Sequence, residues 1–412
     1  MITTVKPISS NSITDYSAEY ITTDSLFFDI ETTGLSAANS MVFLIGAIYF
    51  DGKCWQLKQF LAENADDERC IIRDFFALAA QYHTLIHFNG TTFDIPYLKE
   101  RAKFHSITEP LSQMESLDLY QKFRPLKKLL NLPRMNQQTL EQFLQWPRQD
   151  QLSGKQMITL FKKYAASGEK LIADLLLLHN HDDLLGMIQL LRLFAYPILA
   201  EGNFDQIHIT TDCSIFDPDS GFEDSGDTQS IGCLQTSGIL CIQFHLEQPL
   251  PADLVLTCPV TAADLSSPTA ATEVDPITLP HAAQTETHIV LTVKNNLGSL
   301  TIPIFFGELK YFFPDYRNYY YLPAEDQAVH KSIGAYVDPE HRENAKPATC
   351  YVRKKGVFLP QPAVLFEPAF YPEYHSKHIY FEYAESFASS SEKLSAYIQA
   401  LLKYLLSGFI RR

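Results

Sequence analysis

The residues SLFFDIETTG (25–34) place two acids at the end of an apolar segment. The segment is rich in residues that favour strands, which predicts a buried β-strand. Residues i and i+2 of a strand point to the same face, so Asp29 and Glu31 present two carboxylates side by side. Two close carboxylates repel each other unless a cation lies between them. A D-x-E pattern is expected about once by chance in a chain of this length, so further motifs are needed before it indicates a site.

Strand-like and helix-like segments alternate after this strand. The runs 41–50 and 53–61 are predicted as two further strands, and Asp51-Gly52 between them is a hairpin-turn signal. The remaining segments are a helix over 66–81, a strand over 84–88, a helix from about residue 92, a strand over 115–119 and helices over 120–196. The order β-β-β-α-β-α-β followed by helices predicts an α/β fold with a mixed sheet and flanking helices.

Two later motifs add further acids. HFNGTTFDIPYL (87–98) puts Asp94 just past a predicted strand. LHNHDDLLG (178–186) lies between two apolar helical runs, so its charges lie beside a core. Asp183 follows His179 by four residues and shares a helix face with it if the helix extends that far back. Asp182 is equally compatible with a solvated acid at the start of a helix.

These three motifs, written D-I-E-T-T-G, H-F-N-G-x-x-F-D-x-P-x-L and H-N-x-x-D, resemble the exonuclease motifs of DEDD-type nucleases. The chain is most similar to the YprB-like ribonuclease H-like domain family over about residues 24–196, and residues 116–130 and 139–164 resemble the block between that family's motifs. The resemblance implies a ribonuclease H-like fold and 3′–5′ exonuclease activity. It also implies a set of metal-binding and catalytic acids: Asp29, Glu31, Asp94 and Asp183.

The resemblance gives His179 the place of the general base or water-orienting residue, but its spacing departs from the family. A histidine in these nucleases usually lies five residues before the last Asp, and a tyrosine four before. His179 is a histidine at the tyrosine spacing, although an imidazole can accept a proton near neutral pH. Hydrolysis of a phosphodiester needs an activated water and charge stabilisation on the leaving oxygen, which two divalent ions about 3.5–4 Å apart provide. Oxygen ligands favour Mg²⁺ or Mn²⁺, so two such ions are the expected cofactors.

Nucleic acid would be contacted by nearby cations and aromatic side chains. Asn89 and Phe93 can line the cleft beside a terminal nucleotide, since an aromatic face can stack on a base. Asn89 is equally a good turn residue, and Phe93 can be core. The candidate phosphate contacts are Lys127, Lys128, Arg134, Arg148, Lys155, Lys162 and Lys163. Ordinary helix solvation is the alternative for most of them.

The formal net charge of −15 is unevenly distributed. Residues 1–200 have a net charge of −3, residues 201–304 one of −13 and residues 305–412 one of +1. Nucleic acid is therefore expected to contact the outer segments and to avoid the middle one. The predicted domains are a ribonuclease H-like exonuclease domain (1–200), an acidic, β-rich, sandwich-like domain (201–304) and an aromatic-rich β/α segment (305–412). The acidic middle domain, with its Gly/Ser-rich loop at 216–232, can also dock a protein partner.

The carboxy-terminal segment offers a second possible surface. Its interleaved bases and aromatic residues are Lys310, Tyr311, Tyr316, Arg317, Tyr319, Tyr320 and Tyr321. Arg353-Lys354-Lys355-Gly356 is predicted as a basic turn. Such a mixture can bind single strands, whereas tyrosine-rich strands packed into a sheet are the simpler interpretation. Residues 391–410 are predicted as an amphipathic docking helix.

Composition sets the remaining expectations. The chain is 46% hydrophobic and 20% charged, which is typical of a soluble globular protein. The amino terminus lacks the features of a signal peptide and no transmembrane helix is predicted, so a cytoplasmic location is expected. The seven cysteines have no metal-binding spacing, which predicts free, buried thiols. The alternative to a nuclease is a nucleic-acid-binding or scaffold protein with a vestigial ribonuclease H-like fold, which would bind without metal-dependent turnover.

Overall fold

The computed structural model describes residues 1–8, 21–212, 234–260, 269–270 and 288–409. The chain divides into two compact units, Met1–Ala195 and Tyr196–Arg411. The predicted acidic loop at 216–232 lies outside the described residues, as do Cys213 and Cys233. The five described cysteines are free; Cys258 and Cys350 are buried, and the other three are half-buried.

A six-stranded mixed sheet forms the centre of the amino-terminal unit, in the order β1-β4-β3-β2-β5-β6. Its strands are β1 Ile2–Pro7, β2 Ser25–Thr32, β3 Val42–Phe50, β4 Trp55–Leu61, β5 Thr84–His87 and β6 Glu115–Asp118. Strands β1 to β4 pair antiparallel, whereas β2, β5 and β6 run parallel to one another. The predicted mixed α/β sheet is thereby confirmed.

Helices flank this sheet and then continue the chain. They are α1 Glu68–Ala79, α2 Asp94–Phe104, α3 Leu119–Phe123, α4 Gln137–Phe143, α5 Gly154–Ser167, α6 Lys170–Leu190 and α7 Ala195–Glu201. Short 3₁₀ turns occur at Ala65–Asp67, Leu111–Gln113, Arg124–Lys127 and Leu191–Phe194. From β2 onward, the predicted order of strands and helices is therefore confirmed as well.

The hairpin between β3 and β4 forms where the sequence predicts it. Gly52 has a φ of 93°, a left-handed conformation that glycine adopts without steric cost. The Asp51 carboxylate accepts hydrogen bonds from the backbone N–H groups of Lys53 and Cys54, both at 2.9 Å. Strand β1 was not predicted. It is short and mostly exposed, so it lacks the apolar run by which the other strands are recognised.

Helix α6 packs against the sheet at a glycine. A Cβ atom at Gly46 of β3 would lie 2.0 Å from the side-chain oxygen of Asn180 and 2.6 Å from Leu184. Gly46 therefore permits the close approach of helix to strand. The run Lys170–Glu201 is long and apolar enough to cross a membrane by length and composition alone. In this structure 61% of its apolar window is buried, as in the core helix of a folded domain.

The carboxy-terminal unit is mostly β, as predicted. Among the described residues, a nine-stranded sheet and a three-stranded sheet contain all its strands. They are β7 Phe204–Asp212, β8 Gln235–Leu246, β9 Leu254–Pro259, β10 Thr269–Ala270, β11 His288–Lys294, β12 Leu297–Phe312, β13 Tyr319–Leu322, β14 Gln327–His330, β15 Glu343–Asn344, β16 Tyr351–Gln361, β17 Ala369–Phe370 and β18 Ile379–Glu382. The helices are α8 Lys331–Gly334, α9 Glu385–Ala388 and α10 Ser391–Ser407, with 3₁₀ turns at Tyr316–Asn318 and Pro339–His341.

Strand β12 is the longest element of the larger sheet. It pairs with β8 over residues 297–306, with β11 over 297–301 and with β16 over 305–312. The domain boundary predicted at residue 304 therefore falls inside a strand that is paired on both sides of that position. Short alternating runs reveal strands but not their partners, so the sequence did not indicate this continuity.

For this unit, the predicted carboxy-terminal helix is confirmed, but the predicted basic turn is not. Helix α10 buries an apolar face that includes Leu394, Leu401 and Leu405, and the Tyr397 hydroxyl donates to the Pro360 carbonyl at 2.6 Å. The prediction of a docking helix is thus confirmed. The predicted basic turn at 353–356 is wrong, because these residues lie within β16 and pair with β12.

Candidate active site

The parallel strands of the amino-terminal unit bring three chain segments to one edge of the sheet. Asp29 and Glu31 lie near the carboxyl end of β2, Asp94 begins the helix that follows β5, and Asp118 ends β6. Carboxyl ends of parallel strands meet at the same edge, where loops gather polar side chains. The sequence placed Asp29, Glu31 and Asp94 here, and the structure brings them together.

Asp29 is enclosed by other acids. Burial raises its pKa well above the usual value, and the negative charges of Asp183, Glu31 and Asp94 raise it further. One contact opposes this: the Asn180 amide donates a hydrogen bond to a carboxylate oxygen of Asp29 at 2.9 Å. The other three predicted acids are therefore close enough to Asp29 to perturb its ionisation.

Asp94 is the first residue of α2 and is 8% exposed. Burial raises its pKa to about 7, and the charge of Glu31 contributes. The turn that leads to it is held by Asp118, whose carboxylate accepts hydrogen bonds from the backbone of Asn89 at 2.8 Å and Thr91 at 3.3 Å. Asn89 has a φ of 62°, a conformation that asparagine tolerates better than most residues.

His179 and Asp183 project from α6, which is continuous through both positions. The imidazole Nε2 of His179 lies 3.3 Å from Glu31 and 3.4 Å from Asp183, so the predicted shared helix face is confirmed. Its Nδ1 contacts the buried carboxylate of Asp150 at 2.5 Å. Burial alone would lower the pKa of His179, but the hydrogen bond with Glu31 and the charge of Asp183 raise it to about 10.

Arg148 lies inside the cluster. Its guanidinium pairs with Asp183 at 2.8 Å and with Glu141 at 3.0 Å, and its side chain is only 11% exposed. Glu141 packs against Gly186 of α6, where a Cβ atom would lie 1.9 Å from a Glu141 carboxylate oxygen. Arg148 was expected to contact substrate phosphate. Here it instead neutralises acids of the site.

Asp182 differs from the solvated helix-start acid that the sequence allowed. It is buried in the middle of α6 and accepts hydrogen bonds from the backbone N–H groups of Gln149 at 2.7 Å and Asp150 at 2.8 Å. These bonds fix the loop that carries Arg148 and Asp150 against the helix. Burial of a charged carboxylate is tolerable here because backbone donors satisfy it.

Sequence reasoning missed Asp150 and Asn180 as members of the site. Each contacts its partner across the fold: Asp150 is 29 residues from His179, and Asn180 is 151 residues from Asp29. A signal was present for both. Asp150 belongs to the block that resembles the nuclease family, and Asn180 lies in the H-N-x-x-D motif directly after His179.

The remaining residues that were predicted to contact nucleic acid are mostly exposed. Asn89 is exposed, and Phe93 is half-buried and packs on Tyr97 with ring centroids 5.4 Å apart. Phe93 is therefore partly a core residue, which was the alternative to its lining a nucleotide-binding cleft. The predicted lysine and arginine side chains other than Arg148 are exposed, namely Lys127, Lys128, Arg134, Lys155, Lys162 and Lys163.

The aromatic and basic residues of the carboxy-terminal segment are mostly engaged within their own unit. Arg353 pairs with Glu308 at 3.3 Å, and Lys354 pairs with Glu382 at 2.6 Å. The amine of Lys310 lies 4.4 Å from the ring centre of Tyr351. Of the two interpretations, this arrangement favours strands packed into a sheet over a surface for single-stranded nucleic acid.

The donor set at the sheet edge suits divalent cations. Glu31, His179 and Asp183 each offer a ligand atom, and these atoms lie within 4.8 Å of one another. Asp29 and Asp94 add carboxylates whose pKa values are raised by burial and mutual repulsion. Carboxylates that repel in this way are stabilised by a bound cation, so the residues present fit hard or borderline divalent ions.

Comparison with known proteins supports the fold. Residues 26–195 match the RNase_H_2 family model of the RNase_H superfamily. A search of curated proteins found no match. Solved structures similar to this chain include the family B DNA polymerase of the hyperthermophilic archaeon Pyrobaculum calidifontis, with 14% identity and a TM-score of 0.35 over 57% of this chain and 34% of that one.

Two exonuclease structures are also similar to this chain. The structure of exonuclease I has 17% identity and a TM-score of 0.27, over 43% of this chain and 44% of that one. The zinc-bound complex of E. coli ExoI with ssDNA has 14% identity and a TM-score of 0.26, over 43% of each chain. This chain spans less than half the length of these structures. Residues 26–195 thus match the RNase_H_2 model and form a mixed sheet with flanking helices, as in a ribonuclease H-like fold.

Proposed function

We propose that the amino-terminal unit is a metal-dependent nuclease of the DEDD type, similar to the YprB-like group, which removes nucleotides from the 3′ end of a nucleic acid. One observation carries the proposal: Asp29, Glu31, Asp94 and Asp183 come from three separate elements and converge in one cluster, in which Asp94 is buried and the other three are half-buried. A structural role does not account for this, because four neighbouring carboxylates destabilise the metal-free fold. Such strain is typical of a functional site.

The four carboxylates would hold two divalent ions, with Mg²⁺ and Mn²⁺ as the expected pair of candidates. Bound there, the ions would supply an activated water and stabilise charge on the leaving oxygen. The protein holds each acid in place through other residues. Asn180 holds Asp29, Arg148 holds Asp183, and Asp118 fixes the turn before Asp94.

A substrate path next to this edge is supported by charge. Between Asp118 and Glu141 the sequence contains five basic residues and no acid. All five side chains are exposed; they are Lys122, Arg124, Lys127, Lys128 and Arg134. The segment begins directly after β6, at the edge where the acids lie. A polyanionic backbone that reaches the acids would be attracted by this local positive charge despite the net charge of the whole chain.

The test is a degradation assay with the full-length protein. DNA and RNA single strands, each labelled at the 3′ or 5′ end, are incubated with Mg²⁺, Mn²⁺ or EDTA. We expect metal-dependent shortening from the 3′ end, lost in Asp94→Asn and Asp183→Asn. Asp174→Asn is the matched control, because Asp174 is an exposed acid on the same helix as Asp183. The labelled products also distinguish DNA from RNA and exonuclease from endonuclease action.

A vestigial fold is the competing outcome. It predicts that oligonucleotides bind, with a strong salt dependence, but are not cleaved under any metal condition. Binding without turnover by the wild-type protein would replace the nuclease proposal with that of a nucleic-acid-binding protein. Turnover that persists in Asp94→Asn and in EDTA would instead indicate a contaminating enzyme, and the proposal would lose its support.

A further inference from the structure

The imidazole of His179 has two differently occupied nitrogens. Nδ1 faces Asp150, whose side chain is 3% exposed, at 2.5 Å. Nε2 faces the acid cluster, 3.3 Å from a Glu31 oxygen and 3.4 Å from an Asp183 oxygen. A histidine that binds a metal through one nitrogen usually donates the other N–H to a carboxylate or carbonyl, which fixes the tautomer and ring orientation. His179 has this arrangement.

Asp183 divides its two oxygens between a fixed cation and the cluster. Oδ1 contacts the Arg148 guanidinium at 2.8 Å, while Oδ2 is the oxygen nearest His179. The arginine charge is shared with Glu141 at 3.0 Å. Oδ2, which does not make the contact with Arg148, faces His179 at 3.4 Å.

We infer that Glu31, His179 and Asp183 form a mixed nitrogen and oxygen metal site in which His179 Nε2 is a direct ligand, and that this site selects a borderline divalent ion such as Mn²⁺ or Zn²⁺ over Mg²⁺. The inference deepens the proposed function and rests on it for its biological purpose. It gives His179 a role different from that of the general base implied by the resemblance.

The two distances from His179 Nε2 are those expected between ligands of one ion. Two ligands at about 2.1 Å from a common ion are separated by roughly 3.0–3.4 Å at octahedral or tetrahedral angles. The Nε2 separations of 3.3 and 3.4 Å need little rearrangement to reach such a geometry. Imidazole suits Mn²⁺ less than Zn²⁺, but it is a poor ligand for Mg²⁺, which prefers oxygen and retains its waters.

The loop that carries Asp150, the partner of His179, is itself held by hydrogen bonds to α6. Asp182, on the next turn of α6, accepts two backbone hydrogen bonds from Gln149 and Asp150. The loop that carries Asp150 is thereby fixed to the helix that carries His179. This rigid backing restricts the rotation of the imidazole, so Nε2 is preorganised towards Glu31 and Asp183. The unusual spacing between His179 and Asp183 follows naturally, because residues four apart share one helix face.

A protonated His179 that serves only as an internal counter-charge for Glu31 and Asp183 is the alternative. The two roles differ in one physical respect. A protonated imidazole that acts as a counter-charge forms no bond to the bound ion, whereas a ligand forms a coordinate bond to it through Nε2. The nuclear spin of the imidazole nitrogen reports this contact when the ion is paramagnetic. Mn²⁺ is therefore both a candidate cofactor and the probe.

The experiment is pulsed EPR of Mn²⁺ bound to the full-length protein without substrate, together with calorimetric titration of Mn²⁺, Zn²⁺ and Mg²⁺. We expect ¹⁴N modulation of the Mn²⁺ signal in the wild-type protein and in His181→Gln, but none in His179→Gln. His181 is the matched control, because it lies on the same helix and contacts Asp182 rather than the cluster. His179→Gln should also abolish the preference for Mn²⁺ and Zn²⁺ over Mg²⁺.

Asp150→Asn provides a second variant that keeps the ligand. It should weaken Mn²⁺ binding by about 10–100-fold while ¹⁴N modulation persists at saturating ion. The wild-type spectrum decides the question even if a variant fails to fold. Bound Mn²⁺ without ¹⁴N modulation would overturn the inference. Nuclease activity together with such a spectrum would leave the proposed function intact, whereas ¹⁴N modulation in a protein without turnover would refute the function and keep the metal site.

Discussion

Removal of the Asp94 charge should stabilise the metal-free protein while it abolishes the proposed activity. The pKa of Asp94 is raised to about 7 by burial and by the charge of Glu31. Because the folded-state pKa lies above the unfolded value of 3.8, stability is fully present below pH 3.8, declines as the pH rises from there and levels off above about pH 7. Three pKa units correspond to about 4 kcal/mol, which is the upper bound for the cost of ionising Asp94 in the folded state.

Asp94→Asn removes this cost and retains an oxygen that can accept the backbone hydrogen bonds of the carboxylate. In EDTA at pH 8.5, a pH chosen to lie above the folded pKa, we expect the variant to unfold with a free energy larger than wild type by about 1–4 kcal/mol. Near pH 5.5, Asp94 is protonated in the folded protein but ionised in the unfolded chain, so the advantage of the variant should be about half of that at pH 8.5. Urea unfolding followed by circular dichroism at both pH values measures the difference.

Mn²⁺ should reverse the order of stability. At a given Mn²⁺ concentration, a bound ion stabilises the folded state more when it binds more tightly, by an amount that grows with the logarithm of the affinity, so wild type should gain more than Asp94→Asn. The exposed Asp174→Asn variant should match wild type under every condition. The electrostatic reasoning is refuted if Asp94→Asn is less stable than wild type at the high pH in EDTA, or if its advantage is the same at both pH values.

Three further predictions concern other parts of the amino-terminal unit. Gly186→Ala places a Cβ atom 1.9 Å from Glu141, so it should destabilise the protein by about 1–3 kcal/mol in thermal unfolding and lower nuclease turnover. Glu68→Gln breaks a buried ion pair and should lower the free energy of unfolding by about 3–5 kcal/mol near neutral pH. The pKa of Glu68 is lowered in the folded protein, so the stability that the pair contributes is present above the unfolded pKa of 4.5 and is lost as the pH falls. Urea unfolding near pH 3 should therefore show a smaller difference between the variant and wild type. Lys127→Gln combined with Lys128→Gln should reduce the salt dependence of oligonucleotide binding by about 1.4 in log–log slope if both contact a single strand; an unchanged slope would exclude these two residues from the path.

The parts of the site that local sequence could predict are those with a local signal. Asp29 and Glu31 end an apolar strand, Asp94 follows another, and Asp183 lies one helical turn after His179. Each position follows from strand or helix periodicity together with a motif. The same reasoning predicted the order of strands and helices, because apolar runs and turn residues reveal elements one at a time.

The remainder depended on contacts between distant segments. Arg148 was predicted as a contact to substrate phosphate, but tertiary packing encloses it with Glu141 and Asp183. The burial of Asp182 has the same origin, since its partners are backbone groups 32 and 33 residues away. The sequence also did not predict that β12 continues and is paired across residue 304. Alternation along a strand indicates which side chains share a face of the sheet, but it does not indicate which strands pair with it.

The approach of α6 to the sheet constrains two positions jointly over evolutionary time. Gly46 lies directly opposite Asp29 in the β2–β3 ladder, and Asn180 reaches over it to bond Asp29. Gln59 in turn donates to the Asn180 oxygen at 2.9 Å. A larger residue at position 46 would displace Asn180, so relatives that retain this asparagine should retain the glycine as well. Relatives that keep both residues would then be those in which Asp29 is still held for the proposed activity, and relatives that lose both would be those in which this constraint has been lifted.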